Sequence, residues 1–140
     1  MNVSPEVLDW VRKAEMDLAA ARWLAKGDEP LPDQMGFFCQ QTAEKYLKAF
    51  LIASGQVPPR THDVDVLVEM CAVVDPAFEK LQPLVEGLTE FAIIFRYPEE
   101  WSDESAAIQS LTKAEQVRAL VRRKLDLAEE SGCGGCTERK

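Results

Sequence analysis

The stretch FFCQQTAEKYLKAF, residues 37–50, contains no helix breaker and reads as α-helix throughout. At about 100° per residue, Met35, Cys39, Ala43, Tyr46, Phe50 and Ala53 share one arc, which is a core face. The opposite arc carries Gln41, Glu44, Lys45 and Lys48 at spacing i, i+3, i+4, i+7. Phe37, Leu51 and Ile52 fall on that same arc. A row of large apolar residues among the polar ones predicts that the second face is also covered, by neighbouring helices or by a second copy of the chain. Lys45 and Lys48 would then stand at the edge of that contact, available to an anion. The plain alternative is a solvated stripe in which Glu44 and Lys48 form an ordinary i,i+4 pair, worth about 0.3–0.5 kcal/mol.

Working outward, the same periodicity recurs. Ser4-Pro5 is a cap-plus-proline start, and Val7, Trp10, Val11, Ala14, Leu18, Ala21 and Ala25 hold one face to about Gly27. Asp33 is the expected cap of the second helix, which ends near Ser54-Gly55. The stretch VPPRT, residues 57–61, is a stiff connector. A third helix over about 63–74 turns Val64, Leu67, Val68 and Cys71 inward. Asp75-Pro76 opens a fourth, with Phe78, Leu81, Val85, Leu88, Ala92 and Phe95 at steps of three and four; Pro83 is expected to kink it or to make its first turn separate. Residues 99–110 read as a polar connection. Thr112 and Glu115 have capping-box spacing and open the last helix, which carries Val117, Leu120, Val121, Leu125 and Ala128 to about Glu130. The expectation is all-α: a five-helix up-and-down antiparallel bundle over residues 1–130, with residues 131–140 a flexible tail.

The 140 residues fit one domain, and 46% hydrophobic with 29% charged residues is an ordinary globular composition. A net charge of −8 argues against nonspecific nucleic-acid binding, which is driven by neutralising phosphates. No apolar run approaches the ~20 residues of a membrane span, and charged residues interrupt the N-terminal segment, so no membrane association and a cytoplasmic location are expected. Cys39 and Cys71 lie on apolar positions. Cys133 and Cys136 form a CxxC in a Gly-rich end, which supplies too few ligands for structural zinc and reads as tail. No metal and no cofactor are expected.

Four stretches together resemble the HEPN (higher eukaryotes and prokaryotes nucleotide-binding) superfamily, in its small stand-alone prokaryotic branch. They are AEMDL at 14–18, CQQTAEKYLK at 39–48, THD at 61–63 and RYP at 96–98. The resemblance implies a helical bundle that homodimerises and pairs with a minimal nucleotidyltransferase in a toxin–antitoxin-like system. Many relatives are metal-independent ribonucleases that use an Arg followed, after four to six residues, by a His. This chain departs from that pattern. Its single histidine, His62, precedes Arg96, and Arg60 is only two residues before it. The general acid/base of RNA cleavage is therefore missing from its expected place.

The resulting expectation is a module that binds a nucleotide or nucleotide-like anion through Gln41, Glu44, Lys45, Lys48 and Arg96, with RNA as a possible ligand. Glu44 is a candidate to hold Arg96 across the helices. Arg96 also complements a helix C-terminus, and a guanidinium there suits a phosphate. The resemblance makes Tyr97 a candidate site of nucleotidylation, against a plain packing role. His62 reads as a helix-start residue, and Trp101 as a lid over the core or a base-stacking ring. The alternatives are a toxin-type endoribonuclease with a noncanonical site and a ligand-free dimeric interaction protein.

Overall fold

A computed structural model describes residues 3–94 and 96–128. Phe95, the end of the last helix near Glu130, the tail at 131–140 and the Cys133–Cys136 pair lie outside the described residues.

The first helix, α1 (Pro5–Lys26), starts as the sequence indicates. Ser4 Oγ accepts from the Val7 amide at 3.3 Å, and Pro5 occupies the first turn, where its missing N–H leaves nothing unsatisfied. Val7, Val11, Ala14, Leu18 and Ala21 form its buried stripe. Next comes α2 (Pro32–Ala53), the centre of the fold, which packs against α1 and against the three later α-helices. Its predicted core arc is buried throughout, with Cys39, Ala43, Tyr46 and Phe50 fully so. The second arc is covered as well: Leu51, Glu44 and Lys48 are buried, and Phe37 and Ile52 are half-buried. Neighbouring helices of the same chain therefore cover much of both faces. Gly36 lies where a Cβ would overlap the Phe91 ring, so its lack of a side chain is what lets the segment carrying Phe91 approach α2.

Asp33 does not cap α2. Leu31 holds the cap position without a side-chain bond, and the Asp33 carboxylate instead accepts from the Ser102 amide at 2.9 Å and hydroxyl at 2.6 Å. This ties the start of α2 to the start of the last helix. The third helix, α3 (Val64–Val74), has its expected inward face, with Asp63 accepting from the Asp65 and Val66 amides.

The long fourth helix is not formed. A 3₁₀ helix (Pro76–Leu81) follows the Asp75 cap, residues 82–89 form turns, and only α4 (Glu90–Ile94) is α-helical. Pro83 has no amide to donate, and Gly87 at φ 87° takes a left-handed conformation that ends any helical run. The apolar spacing survives the break: Phe78, Leu81, Val85 and Leu88 are buried, with the Phe78 ring tilted against Phe50 at 4.4 Å between ring centroids.

The last helix, α5 (Glu104–Lys124), begins well before Thr112. Asp103 caps it by accepting from the Ala106 amide at 2.6 Å, and Ala107 and Ser110 extend its buried face. The architecture is all-helical, with five α-helices and one 3₁₀ helix among the described residues, in place of five long helices. Among the described residues no helix is long and apolar enough to cross a membrane. Cys39 and Cys71 are buried free thiols, pushed by burial to about 11 and about 12, and so inert at neutral pH.

Candidate functional site

The polar residues of α2 form one connected group around Glu44. Its Oε1 accepts from Gln40 Nε2 at 3.1 Å and lies 3.1 Å from His62 Nδ1, while its Oε2 accepts from Lys48 Nζ at 2.9 Å. Gln41 Nε2 donates to Gln40 Oε1 at 2.8 Å and points a longer contact of 3.4 Å at Glu44. Gln40 Nε2 also donates to the His62 carbonyl at 2.8 Å, which pins the loop before α3 onto α2. Burial works against the Glu44 charge, but Lys48, His62 and Gln40 outweigh it and hold the carboxyl below its ordinary value. The Glu44–Lys48 pair is thus buried, not an exposed helix pair, with only 6% and 10% of the side chains exposed. Glu44 does not hold Arg96. Its carboxylate is given to α2 and to His62.

Lys45 turns to α1 and pairs with Asp17 at 2.6 Å. It also lines an open cleft of about 450 Å³ with Glu6, Asp9, Trp10 and Lys13. Lys48 Nζ stands 5.8 Å from the centroid of the Trp10 ring, a cation–π contact at the edge of the Glu44 group.

Arg96 lies elsewhere. Its amide donates to the Ile93 carbonyl at 3.0 Å, so it caps α4 as expected of a residue that ends a helix. Its guanidinium has no hydrogen bond or ion pair among the described residues. With Tyr97, Trp101, Asp33, Gln34 and Glu100 it lines a cavity of about 270 Å³. Tyr97 and Trp101 are 53% and 79% exposed, so Trp101 is not a lid over the core. It also borders an adjoining cavity of about 290 Å³, with Phe91, Gln109 and Lys113.

The structure therefore brings Gln41, Glu44 and Lys48 together, sets Lys45 on the Trp10 cleft, and sets Arg96 with Tyr97 on a separate cavity. The outer stripe of α2 runs between the two places: Gln34 lines the Arg96 cavity and Lys45, eleven residues on, lines the Trp10 cleft. At about 1.5 Å per residue that is about 16 Å of helix.

The HEPN domain family matches residues 7–124. This chain belongs to it. No curated protein and no solved structure matches the chain. The match spans α1 through α5 of the HEPN domain, so both cavities and the Glu44 group fall inside it. Two residues of this surface were not singled out from sequence as part of a site. Trp10 sits on the apolar stripe of α1 and reads as core, yet it is only half-buried. Gln40 is fully buried, and its role is visible only once the His62 carbonyl is known to face it.

Proposed function

We propose that this HEPN domain binds a nucleotide or nucleotide-like anion, with Arg96 as its principal phosphate contact and Gln41, Glu44, Lys45 and Lys48 forming the stripe along which the ligand extends. The observation that carries the reading is the state of the cations. Lys45 and Lys48 each face a carboxylate, whereas the Arg96 guanidinium has no such partner among the described residues and stands beside two exposed aromatic rings. A guanidinium matches phosphate geometry bidentately, and Tyr97 or Trp101 offers a face on which a base stacks. The resemblance supports a minimal nucleotidyltransferase as partner in a toxin–antitoxin-like system, and a homodimer as the working state. Tyr97, an exposed residue, is then a candidate for nucleotidylation by such a partner.

The test is calorimetric titration of the chain with ATP, GTP and UTP, repeated with Arg96→Ala. Losing a charge-assisted contact is expected to weaken binding about tenfold or more. Absence of heat with all three nucleotides, or equal affinity in the variant, overturns the reading. The exposed Ile93, Tyr97 and Trp101 favour a second reading, a ligand-free dimeric interaction protein, which an absence of nucleotide binding would support. RNA degradation that disappears in Arg96→Ala would instead mark an endoribonuclease.

A further inference from the structure

Trp101 is a shared wall of two cavities, and Ile94 lines both. On one side lies the cavity of about 270 Å³ that holds Arg96 and Tyr97. On the other lies the cavity of about 290 Å³, lined from α4 and from the first half of α5. Pockets for small organic ligands begin at about 300 Å³, so each cavity is small for a nucleotide alone and the two joined past Trp101 are not. Phe91, Ile94 and Ala106 give the second cavity an apolar surface. The Phe91 ring is only 6% exposed and fills the space over Gly36 where a Cβ would stand, so this surface is held firmly in place. An apolar surface beside an exposed indole suits the faces of a planar heterocycle.

Most polar groups on the rim already have partners. Ser102 donates to Asp33 at 2.6 Å, Asp103 caps α5, and Lys113 Nζ donates to the Glu86 carbonyl at 2.7 Å. Glu90 and Gln109 have no side-chain hydrogen bond or ion pair among the described residues. The capacity left over is that of a carboxylate, which only accepts, a carboxamide, and the remaining protons of the Lys113 ammonium.

We propose that the cavity beyond Trp101 takes the base of the bound nucleotide and that Glu90 makes it selective for guanine. The proposal rests on the nucleotide-binding reading and deepens it by naming the base. Guanine carries two adjacent donors, N1–H and the N2 amine, which one carboxylate accepts as a pair. Its neighbouring O6 accepts from Lys113 or Gln109. Adenine reverses the pattern: its N1 is an acceptor, and its N6 amine stands where guanine has O6. A carboxylate facing adenine N1 sets lone pair against lone pair. Uracil offers the single N3–H. With the base on this side of Trp101, the phosphates lie on the Arg96 side, where Gln34 begins the stripe of α2.

The experiment is calorimetric titration with GTP, ITP, ATP and UTP, using the native chain and Glu90→Gln. Native affinity for GTP is expected to exceed that for ATP and for UTP about tenfold or more, the scale of one bidentate base contact. ITP lacks the N2 amine and is expected to bind between GTP and ATP. Glu90 is exposed, so Glu90→Gln should leave thermal denaturation unchanged. The carboxamide replaces one acceptor with a donor, so its affinity for GTP should fall to that for ATP. Equal native affinities for GTP and ATP, or for GTP and ITP, overturn this proposal and leave the nucleotide reading standing. A preference for GTP that persists in Glu90→Gln does the same. No binding of any of the four by the native chain overturns both.

Discussion

Glu15 and Glu44 are both carboxylates ringed by donors against the central helix, and they differ in where the ring ends. Glu15 reaches α2 from α1. It accepts from the Tyr46 hydroxyl and from Arg118 Nε at 2.6 Å, with Arg122 Nη1 3.7 Å away and itself 3.1 Å from the Tyr46 oxygen. Three helices meet there, and Tyr46 and Arg118 are buried. Burial pushes the Tyr46 phenol up, and the Glu15 bond and charge push it further, so it stays a neutral donor. Glu44 draws its donors from α2 and from the loop before α3, and its last partner is a half-exposed imidazole. One group joins the side chains of three helices. The other leaves an unused nitrogen facing water. A polar network that only joins helices has no reason to end outside, and this difference separates the two.

The largest effect expected from this contrast is on stability at Glu15. Replacing it with Ala removes the carboxylate from a buried guanidinium and from the Tyr46 hydroxyl at once. Breaking a buried pair from one side costs about 3 kcal/mol or more, because the remaining charge has lost its compensation. Urea denaturation at pH 7 should show Glu15→Ala destabilised by about that amount, with nucleotide affinity unchanged in the fraction that is folded. A loss below about 1 kcal/mol would mean that the closed group does not hold the three helices.

Glu44→Ala should cost less, about 1–2 kcal/mol, the usual scale for stranding buried donors. Lys48 can swing toward the Trp10 ring and solvent, and His62 is already half in water. The same denaturation series ranks the two. Glu44→Ala as costly as Glu15→Ala would make both groups structural and remove the contrast. The reverse difference is expected in ligand binding, where Glu44→Ala weakens the affinity for ATP and Glu15→Ala does not.

Much of this was legible in the residues, and what was not has definite causes. The core arc of α2 follows from 100° spacing alone, and all six of its predicted members are buried. The apolar residues of the opposite arc predict a covered face, as found, whereas the i,i+4 spacing of Glu44 and Lys48 alone describes a surface pair. Glu44 also bonds His62, eighteen residues further on, a partner that helical spacing cannot reveal. The start of α5 was missed because Ala106, Ala107 and Ser110 are small, and a stripe of small residues carries little hydrophobic signal even when it is buried. The apolar steps at 78–92 are satisfied equally by a 3₁₀ helix followed by turns, and Pro83 and Gly87 decide for the latter. Of the proposed contacts, Arg96 and Tyr97 were reached through the RYP resemblance. Their separation from Lys45 is a three-dimensional fact with no trace in the local sequence.

The smallest expected effect concerns acid. Burial works against the charge of both carboxylates, yet Arg118 and Tyr46 at Glu15, and Lys48, His62 and Gln40 at Glu44, hold each below its ordinary value of 4.5. In the unfolded chain each would bind its proton near that ordinary value, before the folded state does. The stabilising contribution is therefore complete above pH ~4.5 and is lost as the pH falls from there through the lower folded-state values. Replacing either residue with Gln removes one such group, so urea midpoints measured from pH 6 down to pH 3 should fall less steeply in Glu15→Gln and in Glu44→Gln than in the native chain. The two variants should differ only slightly. Glu15→Gln should flatten the profile more, because its principal partner is a permanently charged, buried guanidinium, whereas the His62 partner of Glu44 is exposed. Profiles as steep as the native one in both variants would show that neither carboxylate is held in its charged form by folding, and the distinction between a closed group and an open one would then have no electrostatic basis.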